Sequence, residues 1–167
     1  TQNVPVLFVD LNTHYRFYAY INGNYIYGTT GLANINQWHH IALVRNSGST
    51  KLYVNGRQDG STYSDSTTYV QGSTVRIGKH NSSTNYDFKG YISDFRWVKG
   101  TAVYTTDFTP PTSALTEITN TKLLLSMTDG KIIDASGRQH MTLIGDTQSH
   151  SGQPRVSGLS GILFDGN

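Results

Sequence analysis

The amino-acid sequence predicts an all-β protein: a two-sheet antiparallel β-sandwich of the jelly-roll type. Three observations carry this. Apolar residues recur with a period of two, and no ten-residue stretch places them at i, i+3, i+4 and i+7. Asn-Gly pairs stand at Asn22-Gly23 and Asn55-Gly56, each followed or preceded by alternating residues, which is the strongest local signal for a tight hairpin. The composition holds 21 Thr, 16 Ser, 12 Asn and 17 Gly but one Glu, Glu117, so strand and turn formers replace helix formers.

Val4 to Val9 is a short apolar run, pushed toward a sheet edge by Pro5. Tyr15, Phe17, Ala19 and Ile21 alternate with Arg16, Tyr18 and Tyr20, and Asn22-Gly23 turns the chain into Tyr25-Ile26-Tyr27. Trp38 to Arg45 becomes apolar on both faces, as in a strand held between two layers, with Trp38 as its anchor. After a turn over 46–50, Lys51 to Val54 returns with Leu52 and Val54 on one face. Residues 57–73 read as a weak edge strand and loop, Thr74 to Gly78 as a short strand, and 79–87 as an exposed loop. Phe88 to Val98 alternates again, and Pro110-Pro111 closes the block. The expected core is Trp38, Ile41, Leu43, Leu52, Val54, Ile77, Ile92 and Phe95.

A chain of 167 residues suffices for one domain with a core, or one domain and part of another. The absence of Cys excludes disulfide scaffolds, thiolate metal sites and Cys catalysis. A net charge of +2 without a basic run argues against a nucleic-acid partner, and no apolar run reaches the length of a membrane span. The chain begins at Thr1, which reads as a processed product or a fragment.

Three segments in order then carry a resemblance: Trp38-x-His40-x-Ala42-x-Val44-Arg45, Leu52-Tyr53-Val54-Asn55-Gly56, and Phe88-x-Gly90-x-Ile92-x-Asp94-x-Arg96. Lys99-Gly100-Thr101-Ala102-x-Tyr104 and Phe108-Thr109-Pro110-Pro111 follow. Together they resemble the concanavalin A-like lectin/glucanase superfamily, in its laminin G-like and pentraxin-like branch, and the tail is similar to repeats of phage virion proteins. Residues 1–115 then form a sandwich that lacks its opening strands. Residues 116–167 form a linker plus segments similar to the opening of such a repeat: Asn120 to Leu125, Ile133-Asp134-x-Ser136-Gly137, and Ser160 to Gly166. Either the chain is a window from a tandem array, or this segment folds back as a circular permutation. Completion by a neighbouring subunit is a third arrangement.

Catalysis is not expected. Glycoside hydrolysis needs two carboxyl groups a fixed distance apart, whereas Glu117 stands alone and no alternating acidic cluster exists. No G-x-S-x-G elbow occurs. His39 and His40 point to opposite faces of a strand and do not converge on one metal. No cofactor is required. Ca²⁺ is the one that the residues suit, with Asp87, Asn85 and Asp65 as ligands and Asn81 as a further hard oxygen. Asn81, Asn85, Tyr86 and Tyr63 are the candidate ligand-binding residues, since amide groups suit sugar hydroxyls and flat rings suit sugar C–H faces. Tyr18, Tyr20, Tyr25 and Tyr27 cluster in one hairpin, a pattern of cross-strand packing or subunit contact more often than of a lectin site. His40 reads as a core histidine, and Asp94 with Arg96 as a structural ion pair.

The resemblance implies a non-catalytic, extracellular display module that binds a cell-surface glycan or host receptor. Its setting would be the virion surface, as a multi-copy phage tail or capsid appendage packed against other virion subunits. The rival reading is a structural subunit-interaction module without a ligand.

Overall fold

The computed structural model describes residues 5–10, 14–32, 36–69, 75–79, 87–125, 133–143, 147–150 and 161–165. Among them there is no helix, and every strand pairing is antiparallel. The fold is an all-β sandwich fold. The chain divides into two compact units: unit 1 comprises residues 1–75 and 102–110, and unit 2 comprises 76–101 and 111–167.

Unit 1 is built from hairpins. β1 (Val6–Asp10), β2 (Arg16–Ile21) and β3 (Asn24–Tyr27) form one sheet. β4 (Ile41–Asn46), β5 (Ser49–Val54), β6 (Arg57–Gln58) and β7 (Tyr63–Ser64) form the second. The tight turns have the expected chemistry: Asn22 and Gly23 lie at φ 46° and 86°, and Asn55 and Gly56 at 51° and 82°, as a type I′ turn demands. The β4–β5 turn is tighter than expected, two residues at Ser47-Gly48, so the strands extend through Asn46 and Ser49.

The alternation sets the core. Phe17, Ala19, Ile21 and Ile26 from the first sheet meet Leu52 and Val54 from the second, with Leu32 closing the cluster. Ile41 and Leu43 pack against it half-buried. Each large apolar side chain taken from water here contributes about 1.5–3 kcal/mol before its ordering entropy is set against it. Trp38 corrects the expected anchor. β4 begins only at Ile41, and Trp38 lies ahead of it, 36% exposed.

Unit 2 pairs strands remote in sequence. β8 (Lys89–Ile92) joins β12 (Gly161–Asp165), which joins β11 (Gln148–His150), while β9 (Phe95–Val98) joins β10 (Thr121–Leu125). Ile92 lies opposite Ile162, and Phe95 opposite Leu125. Leu123, Leu125 and Ile162 form the core, with Ile77, Phe95, Trp97, Met141 and Phe164 packed around them. The single strand expected over Phe88 to Val98 is two. Buried Asp94 sits between them at φ 54°, a left-handed conformation that breaks the alternation. Val75 to Gly78 likewise forms no strand, and Thr74 lies outside the described residues.

Candidate functional site

Unit 1 presents one sheet face away from its core, and the register decides what lies there. Phe8 opposes Tyr18, Tyr18 opposes Tyr27, and Tyr20 opposes Tyr25. Because Phe17, Ala19 and Ile26 point inward, these aromatic rings share the outer face. Phe8 stacks on Tyr18 with centroids 5.0 Å apart, and Tyr25 stacks on Tyr27 at 5.2 Å and 8° between planes. The Arg16 guanidinium lies 4.4 Å from the Tyr27 centroid, a cation–π contact. Its Nε is buried and meets no acceptor among the described residues. Tyr25 and Tyr27 remain 47% and 46% exposed, large for rings on a sheet. The hairpin cluster legible in the sequence is therefore a continuous aromatic platform.

The expected rim is less fully described. Asn81, Asn85 and Tyr86 lie outside the described residues. Tyr63 belongs to unit 1: its ring packs half-buried against the core, and its hydroxyl accepts from Asn24 Nδ2 at 2.9 Å. Asp65 also belongs to unit 1, and Asp87 to unit 2. The Asp65 carboxylate accepts from Tyr69 (2.7 Å), Thr50 (3.1 Å) and the Thr67 N–H (3.0 Å), and pairs with Arg45 Nε at 3.2 Å. Desolvation alone would raise its pKa, but these donors outweigh burial and hold it below the usual carboxylate range. Tyr69 is pushed up to about 12, by burial first and then by its bond to Asp65. Asp87 accepts from Lys79 Nζ at 2.7 Å. A cation at either carboxylate would have to displace these donors. Among the described residues no three His, Asp or Glu side chains gather as a metal site.

The remaining buried carboxylates are likewise held by donors that serve the fold. Asp59 Oδ1 accepts from the Thr29 and Thr30 N–H groups and the Thr29 hydroxyl at 2.8–2.9 Å, tying the end of β3 to the second sheet. Asp134, in the expected Asp-x-Ser-Gly turn, accepts from the N–H groups of Leu124, Ser136, Arg138 and Gln139 and from the Ser136 hydroxyl. Burial raises its pKa, yet this set of donors lowers it to about 2. Asp94 accepts from the Leu115 N–H, and Arg96 donates to the Thr116 carbonyl at 3.0 Å, so the pair grips one neighbouring segment. Glu117 is paired with Arg138.

A second feature of unit 1 is not legible in the sequence. The segment 102–110 crosses the outer face of β4 and β5. Phe108 N–H donates to the Gly56 carbonyl at 2.8 Å, and Asp107 accepts from the Gln58 N–H at 2.9 Å. Gly56 is required twice: its φ is positive, and a Cβ there would overlap the Phe108 carbonyl. Tyr104 stacks on Phe108 at 3.6 Å, and both meet the edge of the His40 ring. His40 is thus half-buried and packed, as a core histidine should be. Beside this strap lies a cleft of 290 Å³ lined by Asn46, Lys51, Tyr53 and Tyr104, among others. The spacing of Tyr104 and Phe108 was visible in the sequence; that they fold over Tyr53 was not.

A laminin G family model, described as the concanavalin A-like lectin/glucanases superfamily, matches residues 2–106. Comparison with curated proteins and with solved structures found no match. The matched stretch covers well over half of the chain and takes in β1 to β9. Both sheets of unit 1 and the two Asn-Gly hairpins fall within it: the chain belongs to the concanavalin A-like lectin/glucanase superfamily.

Proposed function

We propose that the chain is a non-catalytic binding module whose platform of Phe8, Tyr18, Tyr20, Tyr25 and Tyr27 recognises glycans. One observation carries this: Tyr25 and Tyr27 stack in parallel while about half of each stays in water. Flat, pre-ordered rings suit the C–H faces of pyranoses and lose little entropy on binding. The Arg16 guanidinium packs on the Tyr27 ring and helps to hold it in place. The non-catalytic reading is supported by the carboxylates. The only Glu in the chain is paired with Arg138, and buried Asp59, Asp65, Asp94 and Asp134 each accept bonds that hold turns. A hydrolase needs one carboxyl group free to protonate a leaving group and a second to attack or activate water.

Single contacts of this kind are weak, so the module works in multiple copies on one particle, where linkage raises avidity by orders of magnitude. The setting is a phage virion appendage facing the host surface. The Lys99 to Tyr104 and Phe108 to Thr112 segments, similar to virion repeats, support that setting.

A glycan array probed with an oligomerised form, with and without chelator, tests the reading. Defined binding is expected, and Tyr25→Ala and Tyr27→Ala should each abolish it while leaving the melting temperature nearly unchanged. A silent array, with sedimentation that shows self-association lost in the same two variants, would instead establish a structural subunit face.

A further inference from the structure

The cleft beside the strap has a one-sided chemistry. Asn46, Ser49, Lys51 and Tyr53 share the outer face of β4 and β5, because Leu43, Leu52 and Val54 point the other way into the core. Tyr53 is fully buried, yet its hydroxyl meets no acceptor among the described residues. An unmade bond at a buried hydroxyl is costly and rarely kept without use. Lys51, half-buried, has no carboxylate partner among the described residues. The Asn46 carbonyl oxygen accepts from the Ser47 hydroxyl at 3.3 Å, which leaves its NH₂ group as the end free to donate.

Three donors therefore line a cleft that no Asp or Glu lines. Burial, and then the charge of nearby Asp107, push the Tyr53 phenol pKa upward, so that group stays protonated and a donor at neutral pH. The Asp107 carboxylate itself is engaged by the Gln58 N–H. One face of Tyr104 is covered by Phe108, which holds the ring rigid at the cleft wall. A volume of 290 Å³ lies at the small end of small-molecule sites and suits a single sugar ring.

We infer that this cleft is a binding subsite for a carboxylate-bearing sugar residue, with Lys51 and Tyr53 meeting the carboxylate and Tyr104 lying along the ring. The inference rests on the glycan-binding reading and names its ligand class. A neutral sugar would leave the Lys51 charge without a partner, and a bare inorganic anion would leave the Tyr104 wall unused. A carboxylate accepts from both donors at once, and such charge-assisted bonds are the stronger kind.

Amide-shift titration of the full chain with a galacturonate trimer, against a neutral glucose trimer of equal length, tests this. The acidic trimer is expected to shift the amides of residues 46–53 and 104–105 and to weaken as salt is added. Lys51→Gln should weaken it roughly tenfold. Tyr53→Phe should weaken it several-fold while the free protein melts no lower, because a buried hydroxyl without a partner has been removed. That opposite movement of affinity and stability is what a merely structural Tyr53 would not give. Equal binding of both trimers, unaffected by Lys51→Gln but abolished by Tyr27→Ala, would overturn the subsite and leave the platform standing. Silence of both trimers, together with a silent array, would overturn the two readings together.

Discussion

The two units reach a similar layered result by opposite routes. In unit 1 the strands pair mostly with neighbours in sequence, β2–β3, β4–β5 and β5–β6 through two-residue turns, and among the described residues seven apolar side chains are buried in its core. In unit 2, Ile92 finds Ile162 and Phe95 finds Leu125, and among the described residues its core cluster holds three buried apolar side chains. Closing longer loops costs more entropy, and that cost falls before any contact is made. Unit 2 meets it with polar clamps. Asp134 draws Leu124 and its own turn together, and Asp94 with Arg96 holds residues 115–116. Buried carboxylates belong to the framework of both units, Asp59 and Asp65 in unit 1 and Asp94 and Asp134 in unit 2, so the units differ in how far along the chain their strands find partners.

The largest test of that contrast lies in the cores. Leu52→Ala and Leu125→Ala should each cost about 2–5 kcal/mol in urea unfolding. Hydrogen exchange is expected to rise in β2 to β5 for the first and in β8 to β12 for the second. Equal spreading of both effects over every strand would break the distinction.

Gly56→Ala should cost about 3 kcal/mol, since the new Cβ meets the Phe108 carbonyl at a positive φ. Loss of the strap should also appear as faster exchange of the Phe108 amide. A wild-type melting curve would mean that residues 102–110 contribute little to unit 1.

Acid should find the clamps of unit 2 next. The folded pKa of Asp134, about 2, lies below the ordinary value of 3.8. Its stabilisation is therefore complete above about pH 4 and is lost as pH falls toward 2, an effect of about 2 kcal/mol. Asp134→Asn should show a similar loss at pH 7 and almost none near pH 2, because an amide presents N–H₂ where the Arg138 and Gln139 N–H groups need an acceptor. An equal deficit at both pH values would remove charge from the account.

The smallest change is expected at Tyr53. Tyr53→Phe should leave stability unchanged or raise it by up to about 0.5 kcal/mol, as the hydroxyl has no partner to lose among the described residues. A loss above about 2 kcal/mol would show that the hydroxyl is bonded within the fold.

Much of unit 1 was legible in advance. The alternation of Phe17, Ala19 and Ile21 against Tyr18 and Tyr20 gave both the core and the platform, since a strand sends successive side chains to opposite faces. Asn22-Gly23 and Asn55-Gly56 named their turns, because few residue pairs accept positive φ twice in succession. Trp38 misled, since its size suggested an anchor while its place ahead of β4 left it partly in water. Phe88 to Val98 misled for another reason. Its alternation continues through Asp94, yet that residue takes a left-handed conformation, with its carboxylate accepting from Leu115 N–H and the Ser93 hydroxyl.

The cleft was not legible at all. Lys51 and Tyr53 alternate with core residues and so read as an ordinary outer face. Only the crossing of residues 102–110 buries Tyr53 and turns that face into a concave site. Periodicity records which side of a strand a residue takes, and turn chemistry records which neighbours pair. These are local properties, and the chain carries them in its order of residues. Which distant segment lies against a face depends on burial summed over many residues at once. That is why the partners of β8 and β9, the donors around Asp134 and the wall of the cleft were decided by the tertiary structure alone.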